Sequence, residues 1–402
     1  MNLVKLGDIC DFFNGGAWTQ SEFTETGYPV LKVSNCKNSG FEVDDVSFIP
    51  HEIAQRSENN KLHIGDVIIA TVGSHPNLVE SAAGRSCIVT KKVQGFYLNQ
   101  NAVCLRSKDC DVLDQRYLGY LAASAPFKHY IQSRGKGAAN QMRIAIGAIK
   151  EYEFEIPDIH VQRKIGATLD AYDDLIENNQ EQIKLLEEAA QRLYKEWFVD
   201  LRFPGHETTP ITGGIPEGWT VQSMNDIAEY INGYAFKPTD WGTVGKPIIK
   251  IKEMGSGVTT DTPRNTGEDI PEKYNVTAGD ILFSWSATLS AMIWDEEDGL
   301  LNQHLFKVIP GEGISREFVL QSILKTLDEF SNLTTGSTMK HIQRGKLKEV
   351  KVNVPPTELM EQYRNISEPI REQILNVKRQ IILLREARDR LLPKVMNGEI
   401  EV

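Results

Sequence analysis

The sequence has few cysteines, and none is spaced as a metal ligand or redox pair would be. Among 402 residues there are five, all within the first 110, at positions 10, 36, 87, 104 and 110. No C-x-x-C pair occurs, and the odd count argues against a complete set of disulfides. We therefore expect free thiols in a reducing compartment. The eight histidines also lack the spacing of metal ligands.

Long apolar runs are missing as well. No stretch is long enough to span a membrane, and the first residues, MNLVKLGDICDFFNGG, lack the basic-then-apolar pattern of a signal peptide. We therefore expect a cytoplasmic protein with no membrane partner.

The motifs of common catalytic sites are absent too. There is no P-loop (G-x-x-x-x-G-K-S/T) and no nucleophile elbow (G-x-S-x-G). The segment NVPPT (353–357) departs from the Asn-Pro-Pro-aromatic signature of adenine methyltransferases, because Val is inserted and Thr replaces the aromatic residue. The sequence thus predicts a protein with no catalytic residues, no metal site and no cofactor of its own.

Two stretches have the apolar periodicity of a coiled coil. In residues 158–200 apolar side chains recur in steps of three and four, with Asn179 in one apolar slot. Residues 358–396 repeat the pattern, and Arg388 interrupts it. Two long helices are predicted, each able to bury the other's apolar stripe. Asn179 either sets the register of the pair or faces water or a partner. The apolar positions are Ile165, Leu169, Tyr172, Ile176, Ile183, Leu186, Ala190, Leu193 and Trp197, then Tyr363, Ile370, Ile374, Val377, Ile381, Leu384, Leu391 and Val395.

The chain also repeats itself in order. Five blocks of the first half have counterparts in the second, and loops of unequal length separate them. The matched pairs are VKLGDICDFFNGGAW with VQSMNDIAEYINGYAF, YPVLKVSN with KPIIKIKE, KLHIGDVIIATVGS with YNVTAGDILFSWSA, LNQN with LNQH, and FEIP with VNVP.

These patterns predict an α+β fold built from two copies of one globule. Short apolar runs bounded by Gly, such as 66–72 and 280–285, indicate buried strands, and one amphipathic helix is predicted in each copy, at 114–132 and 315–331.

The predicted domain organisation follows from the repeat and the two heptad stretches. It comprises a first globule (1–157), a first long helix (158–200), a linker rich in Pro, Gly and Thr (201–219), a second globule (220–356) and a second long helix with the C-terminal tail (357–402).

The net charge of −11 at pH 7 argues, taken alone, against a nucleic-acid-binding protein. Much of the acidity, however, lies on the first predicted helix and in the run 295–298, whereas residues 115–150 contain no Asp or Glu. Basic residues there, and in the matching part of the second copy, surround the small-residue loops SRGKGAANQMR (133–143) and TTGSTMKHIQR (334–344).

Such loops carry the groups that contact phosphates and base edges. An ordinary solvated surface is the alternative, but recurrence in both copies favours DNA binding. The candidate residues of these two loops and their flanks are Arg134, Lys136, Asn140, Gln141, Arg143, Lys340, His341, Gln343, Arg344 and Lys346.

A second candidate surface follows the Gly-Asp strands, in TVGSHPNLVE (71–80) and WSATLSAM (285–292). The alternative here is a turn with local Ser or Asn capping. The candidate residues are Ser74, His75, Asn77, Trp285 and Thr288.

Two segments resemble a known family. RLYKEWFVDLRFPGHE (192–207) and ARDRLLPKVMNGEIEV (387–402) resemble the conserved regions of specificity subunits of type I restriction-modification systems, and the whole chain is organised similarly. The resemblance implies two target-recognition domains in a pseudo-two-fold arrangement, separated by two antiparallel coiled-coil helices. Each domain would read one half of a bipartite site in double-stranded DNA.

The resemblance also implies partners. Two modification (methyltransferase) subunits would dock on the helices, and restriction (translocase and nuclease) subunits would join through them. S-adenosylmethionine, ATP and magnesium would belong to these partners. The competing hypothesis is a coiled-coil protein–protein scaffold without DNA recognition.

Overall fold

The structure is a computed structural model, and it describes residues 2–37, 40–43, 45–73, 83–138, 141–332 and 344–402. The chain divides into two compact units. Unit 1 comprises Met1–Asn178 with Ile381–Val402, and unit 2 comprises Asn179–Gln380. Among the described residues, no helix is both long enough and apolar enough to cross a membrane.

Unit 1 is built around a four-stranded antiparallel sheet with short helices packed on it. The strands of the sheet follow the order Cys10–Asn14, Ala102–Ser107, Val67–Ala70 and Ser86–Ile88. The uninterrupted apolar run at Val67–Ala70 is buried on both faces, as its sequence predicts. The remaining strands are Asn2–Lys5, Tyr28–Leu31, Cys36–Lys37, Gly40–Phe41, Ser47–Ile49, Val72–Gly73, Tyr97–Leu98, Lys136–Ala138, Gln141–Arg143 and Glu153–Ile156, and the short α-helices are Leu6–Ile9, His51–Arg56, Gln115–Ala123, Ala125–Ser133 and Ile146–Lys150.

Unit 2 repeats this topology. Its four-stranded antiparallel sheet has the order Ala228–Asn232, Leu305–Pro310, Ile281–Ser284 and Ser290–Ile293. The other strands are Ile211–Thr212, Ile215–Pro216, Thr220–Ser223, Lys246–Ile249, Arg264–Asn265, Asn275–Val276, Gly299–Leu301 and Lys351–Val354, and the short α-helices are Met224–Ile227, Ile251–Ser256, Arg316–Lys325 and Leu327–Asn332.

The other pairings of the two units also match. A parallel pair joins Tyr28–Leu31 to Tyr97–Leu98 in unit 1, and Lys246–Ile249 to Gly299–Leu301 in unit 2. Asn2–Lys5 pairs with Glu153–Ile156 in unit 1, and Thr220–Ser223 pairs with Lys351–Val354 in unit 2, in each case with the strand before a long helix. The predicted α+β fold with an internal duplication is therefore confirmed.

The single helix predicted in each copy is wrong, because each is broken in the middle. In unit 1 the break falls at Ser124, whose hydroxyl donates to the Leu121 carbonyl, and Pro126 lies in the first turn of the next helix. In unit 2 it falls at Thr326, whose hydroxyl donates to the Ser322 carbonyl at 2.7 Å. Both hydroxyls bond to carbonyls at the end of the preceding helix, so the side chain satisfies groups that a terminating helix leaves free.

The two long helices span Ile159–Tyr194, followed by a π-helical turn at Lys195–Val199, and Thr357–Met396. In unit 1, Leu169 of the first helix shares a core with Val395 of the second. In unit 2, the rings of Trp197 and Tyr363 are 5.9 Å apart. In unit 1 the N-terminal half of the first helix lies beside the C-terminal half of the second. In unit 2 the C-terminal half of the first helix lies beside the N-terminal half of the second, so the pairing is antiparallel within each unit.

Two polar residues interrupt the apolar seam, and both have partners across it. In unit 2 the Asn179 amide donates to the Gln380 side chain at 3.3 Å. In unit 1 the Arg388 guanidinium pairs with Asp173. The Asn179 contact is consistent with the predicted register role, since a polar pair at one seam position disfavours slipped alignments.

Each unit also ties its globule to a long helix through charged side chains. In unit 2 the Arg371 guanidinium donates two bonds to the buried Glu317 carboxylate, both at 3.0 Å. In unit 1 the Tyr120 hydroxyl lies 2.8 Å from Asp170 and 2.7 Å from Asp173. Burial raises the pKa of the Asp170 carboxyl and, with the neighbouring Asp173 charge, raises the pKa of Tyr120 as well.

The predicted linker (201–219) is packed rather than extended. Phe203 and Trp219 are buried in the core of unit 2, and Ile211–Thr212 forms a hairpin with Ile215–Pro216. Composition alone indicated a linker because Pro and Gly are frequent there. Burial of the two aromatic side chains removes a large apolar area from water and holds the segment against the core of unit 2.

Candidate nucleic-acid interface

The basic loop of the first copy forms a β-hairpin. Lys136–Ala138 pairs antiparallel with Gln141–Arg143, and Lys136 lies directly opposite Arg143. Both side chains are exposed, and within the described part of the chain neither has an ion-pair partner. Like charges directly opposite each other destabilise a strand pair. The hairpin therefore presents concentrated positive charge that no acidic side chain among the described residues neutralises.

A third strand joins this hairpin to the second predicted surface. Val72–Gly73 pairs with Gln141–Arg143, and the Ile144 N–H donates to the Thr71 carbonyl at 2.8 Å. The strand ends immediately before Ser74 in the sequence. The basic loop and the start of the surface that follows the Gly-Asp strand, which were predicted as separate surfaces, therefore lie side by side in unit 1. Of the candidates in this part of unit 1, four lie outside the described residues, namely Ser74, His75, Asn77 and Asn140.

Arg134 lies at the end of the preceding helix and folds back onto it. Its guanidinium carbon is 3.5 Å from the centroid of the Tyr130 ring, and Nη1 donates to the Tyr130 carbonyl at 3.2 Å. The side chain remains exposed beside the hairpin. A stacked guanidinium keeps its charge, so this position adds to the positive surface while ordering the helix end.

In unit 2 the two candidates of the Gly-Asp strand have different environments. The half-buried Trp285 indole donates its N–H to Asn232 Oδ1 at 3.1 Å, and its ring centroid is 5.7 Å from that of His304. Thr288 is exposed in the turn that connects Ile281–Ser284 with Ser290–Ile293. Trp285 is thus a fixed part of a small polar cluster, whereas Thr288 projects from a hairpin tip.

The basic loop of the second copy is only partly described. Lys340, His341 and Gln343 lie outside the described residues, and Arg344 begins the 3-10 helix Arg344–Lys348. The ammonium group of Lys346 is 2.7 Å from the Glu349 carboxylate. This ion pair offsets the positive charge of Lys346 locally, which leaves it a weaker candidate than the unpaired Lys136.

The sequence analysis did not single out the turns LNQN (98–101) and LNQH (301–304) as contact surfaces. In unit 1 the Gly16 N–H donates to Leu98 at 2.8 Å and the Thr71 N–H donates to Asn101 at 2.8 Å. In unit 2 the equivalent bonds run from Tyr234 to Leu301 at 2.8 Å and from Trp285 to His304 at 3.5 Å. Each turn therefore lies beside the candidate residues of its own unit. The near identity of the two turns, LNQN and LNQH, was the feature of the sequence that could have pointed to them.

A glycine packed against each LNQ turn explains why the two turns have the same backbone contacts. A Cβ atom on Gly15 would lie 1.8 Å from the Asn99 carbonyl oxygen, and one on Gly233 would lie 2.0 Å from that of Asn302. Only glycine permits this approach, so the two turns are held in one geometry.

The described residues of the two units contain no cluster of metal-binding side chains. Among the described residues, no three His, Cys, Asp or Glu side chains are grouped closely enough to hold an ion. The candidate surfaces instead carry cationic side chains, amides and aromatic rings, which are the groups with which proteins contact phosphates and bases.

Comparison with known proteins identifies the family. Residues 1–188 and 216–375 each match the family model of the type I restriction modification DNA specificity domain. The chain belongs to this family. The two specificity domains, as matched, each contain one LNQ turn and one four-stranded sheet of the order described above.

Known specificity subunits resemble the chain over much or all of its length. It is 25% identical over 313 residues to the type I restriction enzyme MjaIX specificity subunit of Methanocaldococcus jannaschii, covering 73% of this chain and 70% of that protein. It is 20% identical over 468 residues to the HindI specificity subunit of Haemophilus influenzae, covering 98% of each.

A solved structure shows the same fold. The S subunit of a type I restriction-modification system from M. genitalium aligns with a TM-score of 0.56 at 15% identity, covering 98% of this chain and 95% of that one.

Proposed function

We propose that this chain is the DNA-recognition subunit of a type I restriction-modification complex. Each of its two specificity domains reads one half of a bipartite site in double-stranded DNA. The paired long helices set the spacing between the half-sites and dock two modification subunits.

The observation that carries the DNA-binding part is the opposition of Lys136 and Arg143 in an exposed hairpin. A protein retains such a pair against its own repulsion when an anion neutralises both charges, and the phosphates of DNA are regularly spaced anions. The scaffold hypothesis gives no reason for the pair. The first long helix carries net negative charge, which suits a contact with protein better than one with phosphate.

In this proposal the chain recognises DNA and its partners perform the chemistry. The modification subunits bind S-adenosylmethionine and transfer the methyl group, and restriction subunits joined through them use ATP and magnesium. Two half-site contacts on one chain also raise affinity, because binding of one half places the other at high effective concentration.

A genome-wide map of adenine methylation, in the host with and without this gene, tests the proposal. The expected result is that one split motif loses its methyl groups when the gene is deleted. An unchanged map, in cells shown to contain the modification subunit, would refute the proposal. Purified complex and a duplex bearing the mapped motif then provide the binding assay for variants.

A further inference from the structure

We infer that Gln100 and Gln303 are base-reading residues, one in each specificity domain, and that each binds the major-groove edge of an adenine. The inference rests on the proposed function and deepens it, because it assigns specificity to two positions outside the candidate residues.

The first support is the rigid backbone beneath both side chains. The Asn99 N–H donates to the Leu31 carbonyl at 2.9 Å, and the Asn302 N–H donates to the Ile249 carbonyl at 3.1 Å. Together with the glycine approach described above, these bonds fix the turn at the end of a parallel strand pair in each unit. Base reading needs such fixed placement, since a loosely held amide loses its geometric selectivity.

The second support is that, among the described residues, neither amide links the turn to another part of its unit. Gln100 is exposed, and its side chain has no hydrogen-bond partner in the described part of the chain. Gln303 is half-exposed, and its Nε2 is 3.5 Å from Nε2 of His304. The neighbouring Asn99 does hold the turn, because its Nδ2 donates to the Gly16 carbonyl at 3.2 Å. Within the described residues, neither glutamine side chain is hydrogen-bonded to another strand or helix, so each can turn towards a ligand.

The third support is the position of Gln100 relative to the basic hairpin. The next residue, Asn101, accepts a bond from Thr71, and Thr71 accepts one from Ile144, each at 2.8 Å. The turn and the hairpin that carries Lys136 and Arg143 are therefore joined through Thr71, the residue immediately before the strand Val72–Gly73. Phosphate contacts position a protein on DNA and adjacent base contacts supply specificity, which is the arrangement found here.

The chemistry of the side chain points to the base. A glutamine amide offers one donor group and one acceptor, which match N7 and the N6 amino group of adenine in the major groove. The same residue in both units predicts the same base in both half-sites. The following residue differs, Asn101 in one unit and His304 in the other, so the half-sites are expected to diverge beside that adenine.

The test uses the full chain in complex with its modification subunit, after the split motif of the wild type has been mapped. Gln100→Ala should relax one adenine position in one half-site and weaken binding of the intact motif by about 10- to 100-fold. Gln303→Ala should do the same in the other half-site. Gln100→Asn and Gln303→Asn, which keep the amide but shorten its reach, should relax the same positions.

Gln94→Ala is the matched control, since Gln94 is an exposed glutamine of unit 1 outside the turn, and it should leave both half-sites unchanged. If the wild-type complex recognises a split motif but the four glutamine variants keep its full sequence preference, the inference is overturned and the proposed function stands. A uniform loss of affinity across all DNA sequences would also overturn it, because that pattern belongs to a backbone contact. A wild-type complex that recognises no split motif would overturn the proposed function and the inference together.

Discussion

Lys136 and Arg143 lie directly opposite each other in an antiparallel strand pair, exposed and without ion-pair partners among the described residues. The repulsion between them is a cost to the isolated domain, and under the proposed function the phosphates of DNA would offset it.

Replacement of both basic residues should weaken DNA binding and reduce its salt dependence. Each phosphate contact contributes about 0.9 to the slope of log affinity against log salt, so Lys136→Ala with Arg143→Ala should lower the slope by up to about 2. Fluorescence anisotropy of a labelled duplex at several salt concentrations measures it. Lys164→Ala with Lys184→Ala removes the same charge from exposed positions of the first long helix and should leave the slope unchanged. An identical slope for wild type and the hairpin variant would show that this surface does not contact phosphate.

The buried pair of Glu317 and Arg371 should be sensitive to loss of either partner. Arg371→Met leaves a carboxylate buried without a counter-charge and should destabilise unit 2 by about 3–5 kcal/mol. Glu317→Leu combined with Arg371→Met should be far closer to wild type, because no charge is left unpaired. Tryptophan fluorescence during urea unfolding reports mainly on unit 2, since five of the six tryptophans lie in it. Equal losses in the single and double variants would contradict the explanation.

The close approach of the glycines to the LNQ turns predicts a local packing defect. Gly15→Ala and Gly233→Ala should each cost about 1–3 kcal/mol, because the new methyl group forces backbone apart. Gly147→Ala and Gly255→Ala are helical controls with no atom within 4 Å of the added methyl group, and they should be neutral or slightly stabilising. Thermal unfolding distinguishes the two sets. Tolerance of alanine at position 15 would mean that the turn can shift freely.

The helix pair should act as a ruler if its register is preserved. Insertion of seven residues after Asn179 and seven after Gln380 adds one heptad to each helix, so the apolar seam continues. At about 1.5 Å per residue and about 3.4 Å per base pair, the spacer in the target should lengthen by about three base pairs. The methylation map of the variant should contain both original half-sites at the new spacing. The original spacing in a functional variant would exclude the ruler.

Alkaline pH should weaken unit 2 through Tyr194, which is buried and hydrogen-bonded to Ser322 at 3.0 Å. Burial raises the pKa of Tyr194 from 10.0 to about 12. Between these values the unfolded chain releases the phenolic proton and the folded chain retains it, so this contribution to stability is lost as pH rises from 10 towards 12. Tyr194→Phe should lose stability less steeply over that range in urea titrations. An equal slope would mean that the folded protein ionises this tyrosine normally.

Much of the architecture was determined by the sequence alone. The heptads predicted both long helices, since a 3.5-residue apolar period is stable only as a paired helix. The duplicated blocks predicted the repeated α+β unit, and family resemblance in 192–207 and 387–402 predicted the family that the comparison then identified. The candidate residues that lie outside the described ranges, and the reading of bases by any of them, remain predictions.

Only the tertiary structure decided how local segments meet. Periodicity could not reveal that Ser124 and Thr326 end helices, because each break depends on one hydroxyl finding a carbonyl. Composition indicated a linker where Phe203 and Trp219 are buried, since burial depends on residues distant in sequence. Residues 71–73 connect the basic hairpin to the LNQN turn through backbone bonds, and side-chain patterns do not reveal which distant segments share such bonds. Sequence therefore specified the elements and their repetition, and long-range pairing specified which side chains share an edge.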